Sequence, residues 1–163
     1  MKSLSAKALS ELSDDFVRLL SDAPRFRGGR LSNGGIAISG EPEADLNVVI
    51  LCEGTSKDEL REALDAIRDR GVDALLIADE EANDLRAWLA DAGLADVGHL
   101  PIMELQEVAP SAPHNFVVRV ASLEESDVGG RLVASAFSLS QASCEAALPG
   151  SLFARKGIDL WVA

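Results

Sequence analysis

Leu46-Asn47-Val48-Val49-Ile50-Leu51-Cys52 is the stretch on which the fold turns. An apolar run broken only by Asn47, with no alternation, is the pattern of a central strand covered on both faces rather than one with a face in water. Such a strand needs a layer on each side, and the sequence around it supplies helices. Leu60, Ala63, Leu64 and Ile67 recur at helical spacing until Gly71 stops them. Ala74 to Ala78 reads as a second buried strand. A helix carrying Leu85, Trp88 and Leu89 follows and ends near Gly93, and a third strand is expected from about Gly98 to Gln106. The order strand, helix, strand, helix, strand predicts an α/β (α+β) fold, a mixed central sheet with helices packed on its faces.

Working outward toward the N-terminus, Leu9, Leu12, Phe16, Leu19 and Leu20 predict an amphipathic helix from Ser5 to Ser21, closed by Asp22-Ala23-Pro24. Residues 25–35, with four glycines and three arginines, read as a loop feeding a short strand around Ile36-Ala37-Ile38. Toward the C-terminus, Ala109-Pro110-Ser111-Ala112-Pro113-His114 breaks the pattern. Beyond it a strand Phe116 to Val120, a helix from about Leu123 to Phe137, an ambiguous segment to Gly157 and a strand Ile158 to Val162 are expected.

The 163 residues carry 27 acidic and 15 basic side chains, a net charge of −12. That balance excludes a general nucleic-acid binder, since phosphate binding is driven by basic surface and counterion release. Hydrophobic residues at 47% and charged residues at 26% describe a globular chain, and aromatics at 4% make its core aliphatic. No apolar run reaches the roughly 18 residues of a membrane span and no signal peptide is evident, so no membrane partner and a cytoplasmic location are expected. Cys52 and Cys144 lie far apart without ligand spacing, so neither a disulfide framework nor a metal site is expected, and both read as reduced core thiols.

Two strand-to-helix junctions are candidates for phosphate binding, because the free N–H groups of a first helical turn attract anions. At Cys52-Glu53-Gly54-Thr55-Ser56-Lys57-Asp58-Glu59, Ser56 and Glu59 form a capping box that satisfies those groups, and Glu53, Asp58 and Glu59 repel an anion. Ala78-Asp79-Glu80-Glu81 has no glycine and consecutive acids, and reads as a cap too. Arg25, Arg27 and Arg30 make a small basic island on an acidic chain, where surface solvation is the ordinary reading and an anion-binding loop the other. His99 and His114 have no identifiable carboxylate or serine partner, and no Gly-x-Ser-x-Gly is present, so no catalytic residue is assigned. Asn47, Glu53 and Met103 are the pocket candidates, at or beside the strands where α/β sheets present ligands.

The order of local phrases Gly35 to Ser39, Asn47 before Val48-Val49-Ile50, Leu89-Ala90-Asp91-Ala92-Gly93-Leu94 and Pro101-Ile102-Met103-Glu104-Leu105 resembles the N-terminal half of a tandem N-acyltransferase of the GNAT superfamily. The resemblance covers about residues 35 to 106. Val118-Arg119-Val120 and Val133-Ala134-Ser135-Ala136-Phe137 look like the opening of the second, catalytic domain of such proteins, whose acyl-CoA loop is absent here. It implies a degenerate GNAT-like domain over 1–108, a proline linker over 109–115, and a segment 116–163 that opens a second GNAT-like domain or adds elements to the first. In the family, the pyrophosphate loop would fall at Glu53 to Asp58, which has one glycine and an acidic bias. The tyrosine often used there as general acid has no counterpart, since the chain has no tyrosine. The resemblance therefore implies a scaffold or substrate-side half with no cofactor of its own, acetyl-CoA belonging only to a complete family member. The other reading is a free-standing acidic α/β module that binds a small ligand or protein without catalysis. A homodimer is the expected assembly, because residues 116–163 are too few to bury a core alone and end in an apolar strand. A small-molecule substrate remains compatible with either reading.

Overall fold

A computed structural model describes residues 4–79, 82–100, 119–120, 122, 125, 128–154 and 161–162. The elements run α1 (Leu4–Leu20), β1 (Arg27–Leu31), β2 (Gly34–Ile38), a 3-10 turn at Ala44–Leu46, β3 (Asn47–Leu51), α2 (Lys57–Arg70), β4 (Leu75–Ala78), α3 (Asn83–Asp91), β5 (Arg119–Val120), α4 (Val128–Phe137), α5 (Gln141–Ala147), a 3-10 turn at Gly150–Ala154, and β6 (Trp161–Val162).

The fold is α/β, with a four-stranded mixed sheet in the order β1-β2-β3-β4 and helices packed on it. β1 pairs β2 and β2 pairs β3 antiparallel, while β3 and β4 are parallel with α2 as the crossover between them. β3 is buried at every residue, as its unbroken apolar run requires. Its side chains alternate between two cores because successive strand residues point to opposite faces. Val49 and Leu51, with Ile36 and Ile38 of β2, pack against Leu60, Ala63 and Ala66 of α2 and Leu85 of α3. Val48, Ile50 and Cys52 pack on the other face against Leu9, Leu12 and Phe16 of α1.

The helix boundaries follow from local chemistry. Ser56 caps α2, and the helix ends at Gly71, whose φ of 64° places it in the left-handed region that glycine enters freely. α4 and α5 do not stand apart from the first hundred residues. Ala134, Cys144, Ala147, Leu148 and Leu152 share one apolar cluster with Leu20 of α1, Ala37 of β2 and Leu46. β5 and β6 pair antiparallel with each other, Arg119 opposite Val162 and Val120 opposite Trp161, in a separate two-stranded sheet.

Two expectations are corrected. Arg27–Leu31, read as loop, is an edge strand. It lacks β-branched residues, and its extended form comes from pairing with β2. Gly98–Leu100, expected to start a third strand of the central run, carries no strand. The rest of that expected strand, with Met103, and the linker over 109–115, with His114, lie outside the described residues. Among the described residues no helix is long and apolar enough to cross a membrane.

Candidate functional site

The junction between β3 and α2 is where a phosphate-bearing ligand would sit. The Ser56 hydroxyl accepts from the Glu59 N–H at 3.2 Å, and Glu59 Oε2 accepts from the Ser56 N–H at 2.8 Å, closing the capping box. The other oxygen of the same carboxylate reaches further. Glu59 Oε1 accepts from Ser32 N–H at 2.7 Å and from Asn33 N–H at 3.3 Å, in the turn between β1 and β2. Hydrogen bonds from backbone amides, with Ser56 foremost, hold the Glu59 carboxyl below its ordinary range and outweigh the opposing effect of burial.

Asn33 completes the closure. Its carbonyl accepts from Cys52 N–H at 2.8 Å, and its amide Nδ2 donates to the Gly54 carbonyl at 3.0 Å. The Thr55 hydroxyl, buried at the junction, lies 2.7 Å from the Cys52 carbonyl and 3.0 Å from the Asn33 carbonyl. The carboxyl end of β3 is thus roofed by the β1–β2 turn, with the chain's own carboxylate in the position an anion would take. An acyl-CoA pyrophosphate would have to displace Glu59 from three amides while meeting Glu53 and Asp58, so the residues present do not fit that group.

Glu53 itself is exposed in the turn after β3. Asn47 begins the same strand, so the two candidates stand at its opposite ends, about 20 Å apart at 3.3 Å per residue. Asn47 is fully buried and its amide is committed to the chain. Oδ1 accepts from Gly40 N–H at 3.1 Å and from the Ser39 hydroxyl at 3.3 Å. Nδ2 faces the carbonyls of Glu41, Glu43 and Asp73 at 2.7, 2.9 and 3.0 Å. The structure does not bring Asn47 and Glu53 together, and Met103 lies outside the described residues.

Both cysteines are buried thiols outside any disulfide. Burial, and secondarily the charge of Glu43, pushes the Cys144 thiol up, which keeps it protonated and unreactive. His99 is exposed beyond α3. Among the described residues no group of three or more His, Cys, Asp or Glu side chains is placed to hold a metal ion.

A cavity of about 140 Å³ lies between β1 and α2, against Gly29 and Ile36 and bounded by Glu62 and Ala66. Arg27 reaches from β1 to Asp69 of α2 at 3.2 Å, and Arg30 reaches the opposite face of the sheet to pair with Asp14 of α1. That pairing holds the Asp14 carboxyl below its usual range through the hydrogen bond from Arg30. In the sequence the arginines read as an island with no sign of the strand beneath them, and the adjacent Gly28-Gly29 is the one local sign of this cavity. Comparison with protein families, curated proteins and solved structures finds no match to this chain.

Proposed function

We propose that the chain is a non-catalytic, GNAT-like half of an N-acyltransferase assembly, a scaffold or substrate-side wall that does not itself bind acetyl-CoA. The observation supporting the absence of cofactor binding is the Glu59 carboxylate, bound to the amides of Ser32, Asn33 and Ser56 where a pyrophosphate would lie. The sheet in which β3 crosses through α2 to a parallel β4 is compatible with the resemblance. Calorimetric titration of the full chain with acetyl-CoA tests it. The expected result is no binding tighter than about 1 mM, and stoichiometric binding near 1 μM, roughly −8 kcal/mol, would sink the reading.

The alternative, a free-standing acidic module acting through protein contacts, is favoured by one surface. α4 presents Leu132 at 45% and Phe137 at 67% exposure. Arg131 and Glu145 are the only charged residues from Val128 to Ala154, on a chain of net charge −12. Two copies meeting through a two-fold axis bring each patch against itself, which is least costly where charge is sparse and balanced. The strand ending at Val162, through which the sequence leads one to expect a homodimer or an addition to the first sheet, pairs with β5 instead, and we propose the α4 face for self-association. In sedimentation equilibrium, Phe137→Glu should weaken self-association by about tenfold or more, the loss of about 1.4 kcal/mol. A wild-type chain that stays monomeric at the highest soluble concentration would remove the dimer.

A further inference from the structure

Gly28 and Gly29 are neighbours in β1 but have different reasons to be glycine. A β-carbon at Gly28 would collide with the Ile36 carbonyl oxygen, so the hairpin itself demands glycine there. At Gly29 a β-carbon would meet nothing within 4 Å. Glycine inside a strand weakens it, and it often marks the close approach of another backbone or ligand. What Gly29 leaves behind is the cavity of about 140 Å³ against Ile36 and α2.

Among the described residues β1 is the outer strand of the sheet, with β2 as its one partner, and Arg27, Gly28 and Arg30 are exposed. Its two arginines flank this outer edge from opposite faces, one drawn toward Asp69 of α2 and the other toward Asp14 of α1. The Arg27–Asp69 pair is a single exposed contact of the kind that contributes little, whereas Arg30 holds both oxygens of Asp14, so a docked carboxylate has to compete with Asp14 for Arg30.

We propose that the outer edge of β1 is a docking strand for an extended acidic peptide segment of another protein, with an uncharged side chain seated beside Gly29 and carboxylates on Arg27 and Arg30. In strand addition the main chain supplies affinity, and pockets for alternate side chains supply specificity. The charge of the occupant follows from the edge. On a chain of net charge −12, the three arginines between residues 25 and 30 are the basic cluster at this edge, and although Asp69, Asp14 and Glu62 stand against them, their guanidinium groups are what it offers to an incoming carboxylate. A second copy's β1 would bring its own arginines to the same edge.

Strand geometry fixes the spacing. A residue opposite Gly29 and one opposite Arg27 are two apart and share the α2 face, while the neighbour opposite Arg30 points to the α1 face. The preferred segment is therefore acidic, apolar, any, acidic, or the reverse order when it docks parallel. This edge is independent of the acyltransferase resemblance: acetyl-CoA binding would overturn that reading and leave this one standing.

The test uses the full chain and two terminally blocked hexapeptides, Thr-Glu-Val-Thr-Glu-Thr and its lysine counterpart Thr-Lys-Val-Thr-Lys-Thr, followed by amide shifts in NMR titration. The glutamate peptide should shift the amides of residues 28–31 with a Kd below about 1 mM, and more weakly as salt rises. The lysine peptide should bind at least about tenfold more weakly. Gly29→Val fills the cavity from a position with open space, so it should unfold thermally like the wild type yet lose binding about tenfold. Arg27→Gln should weaken binding and flatten the salt dependence. No shift at β1, equal binding of the two peptides, undiminished binding by Gly29→Val, or self-association of the chain through these same amides would each overturn the proposal.

Discussion

Asn47→Leu should destabilise the protein by about 3–4 kcal/mol, close to the upper limit for a single side chain. Leucine keeps the branched skeleton, slightly enlarged, but removes both halves of the amide. The Gly40 N–H and the Ser39 hydroxyl lose an acceptor, and the carbonyls of Glu41, Glu43 and Asp73 lose a donor. These groups belong to the link between β2 and β3 and to the residue that leads toward β4. Leaving them unpaired costs desolvation without return, about 1–3 kcal/mol for each group that water fails to reach. Asn47→Asp makes a sharper variant, since a carboxylate would point an acceptor at three carbonyls. Its folded pKa would be raised, so its remaining stability is fully present below the unfolded value of about 3.9 and is lost as pH rises through the folded value. Chemical denaturation of both variants measures this. Losses under about 1 kcal/mol would mean that water replaces the amide at the strand start.

The contrast between Asn47 and its neighbours shows what the sequence makes legible. Val48 to Leu51 can be placed by composition alone, because an unbroken apolar run admits few environments, and all four are buried. The end of α2 at Gly71 and its start at Ser56 are equally local, written within three or four residues of the chain. Asn47 carries no such mark. A polar residue at the start of a buried strand is equally consistent with a ligand contact and with a structural pin, and only the convergence of residues 39–43 and 73 decides for the pin. β1 was hidden for a related reason. Arg27-Gly28-Gly29-Arg30 has no strand propensity of its own, and its extended form depends on β2. Asn33-Gly34 at the hairpin was the local sign that a strand preceded it. The contacts of Glu59 with Ser32 and Asn33 span 27 and 26 residues, beyond the reach of any capping pattern.

That long-range contact also sets the other large effect. Glu59→Ala should cost about 2 kcal/mol, in the lower part of the range for several hydrogen bonds to one charged group because the site is open to solvent. Ser56→Ala removes the same capping box from its other side and should cost about 1 kcal/mol, the ordinary value of a lost N-terminal cap. The surplus of the first over the second isolates the bonds to Ser32 and Asn33, which no helix requires. The pH dependence has a defined sign. The folded pKa of Glu59 lies below the ordinary 4.5, so its contribution is present above that value and is lost as pH falls through the folded pKa. Glu59→Gln should therefore flatten the acid limb of the stability curve while Ser56→Ala leaves most of it. Equal losses for Glu59→Ala and Ser56→Ala, with parallel acid limbs, would reduce Glu59 to a helix cap. The junction would then be closed by Asn33 and Thr55, and no internal carboxylate would stand against an acyl-CoA phosphate there.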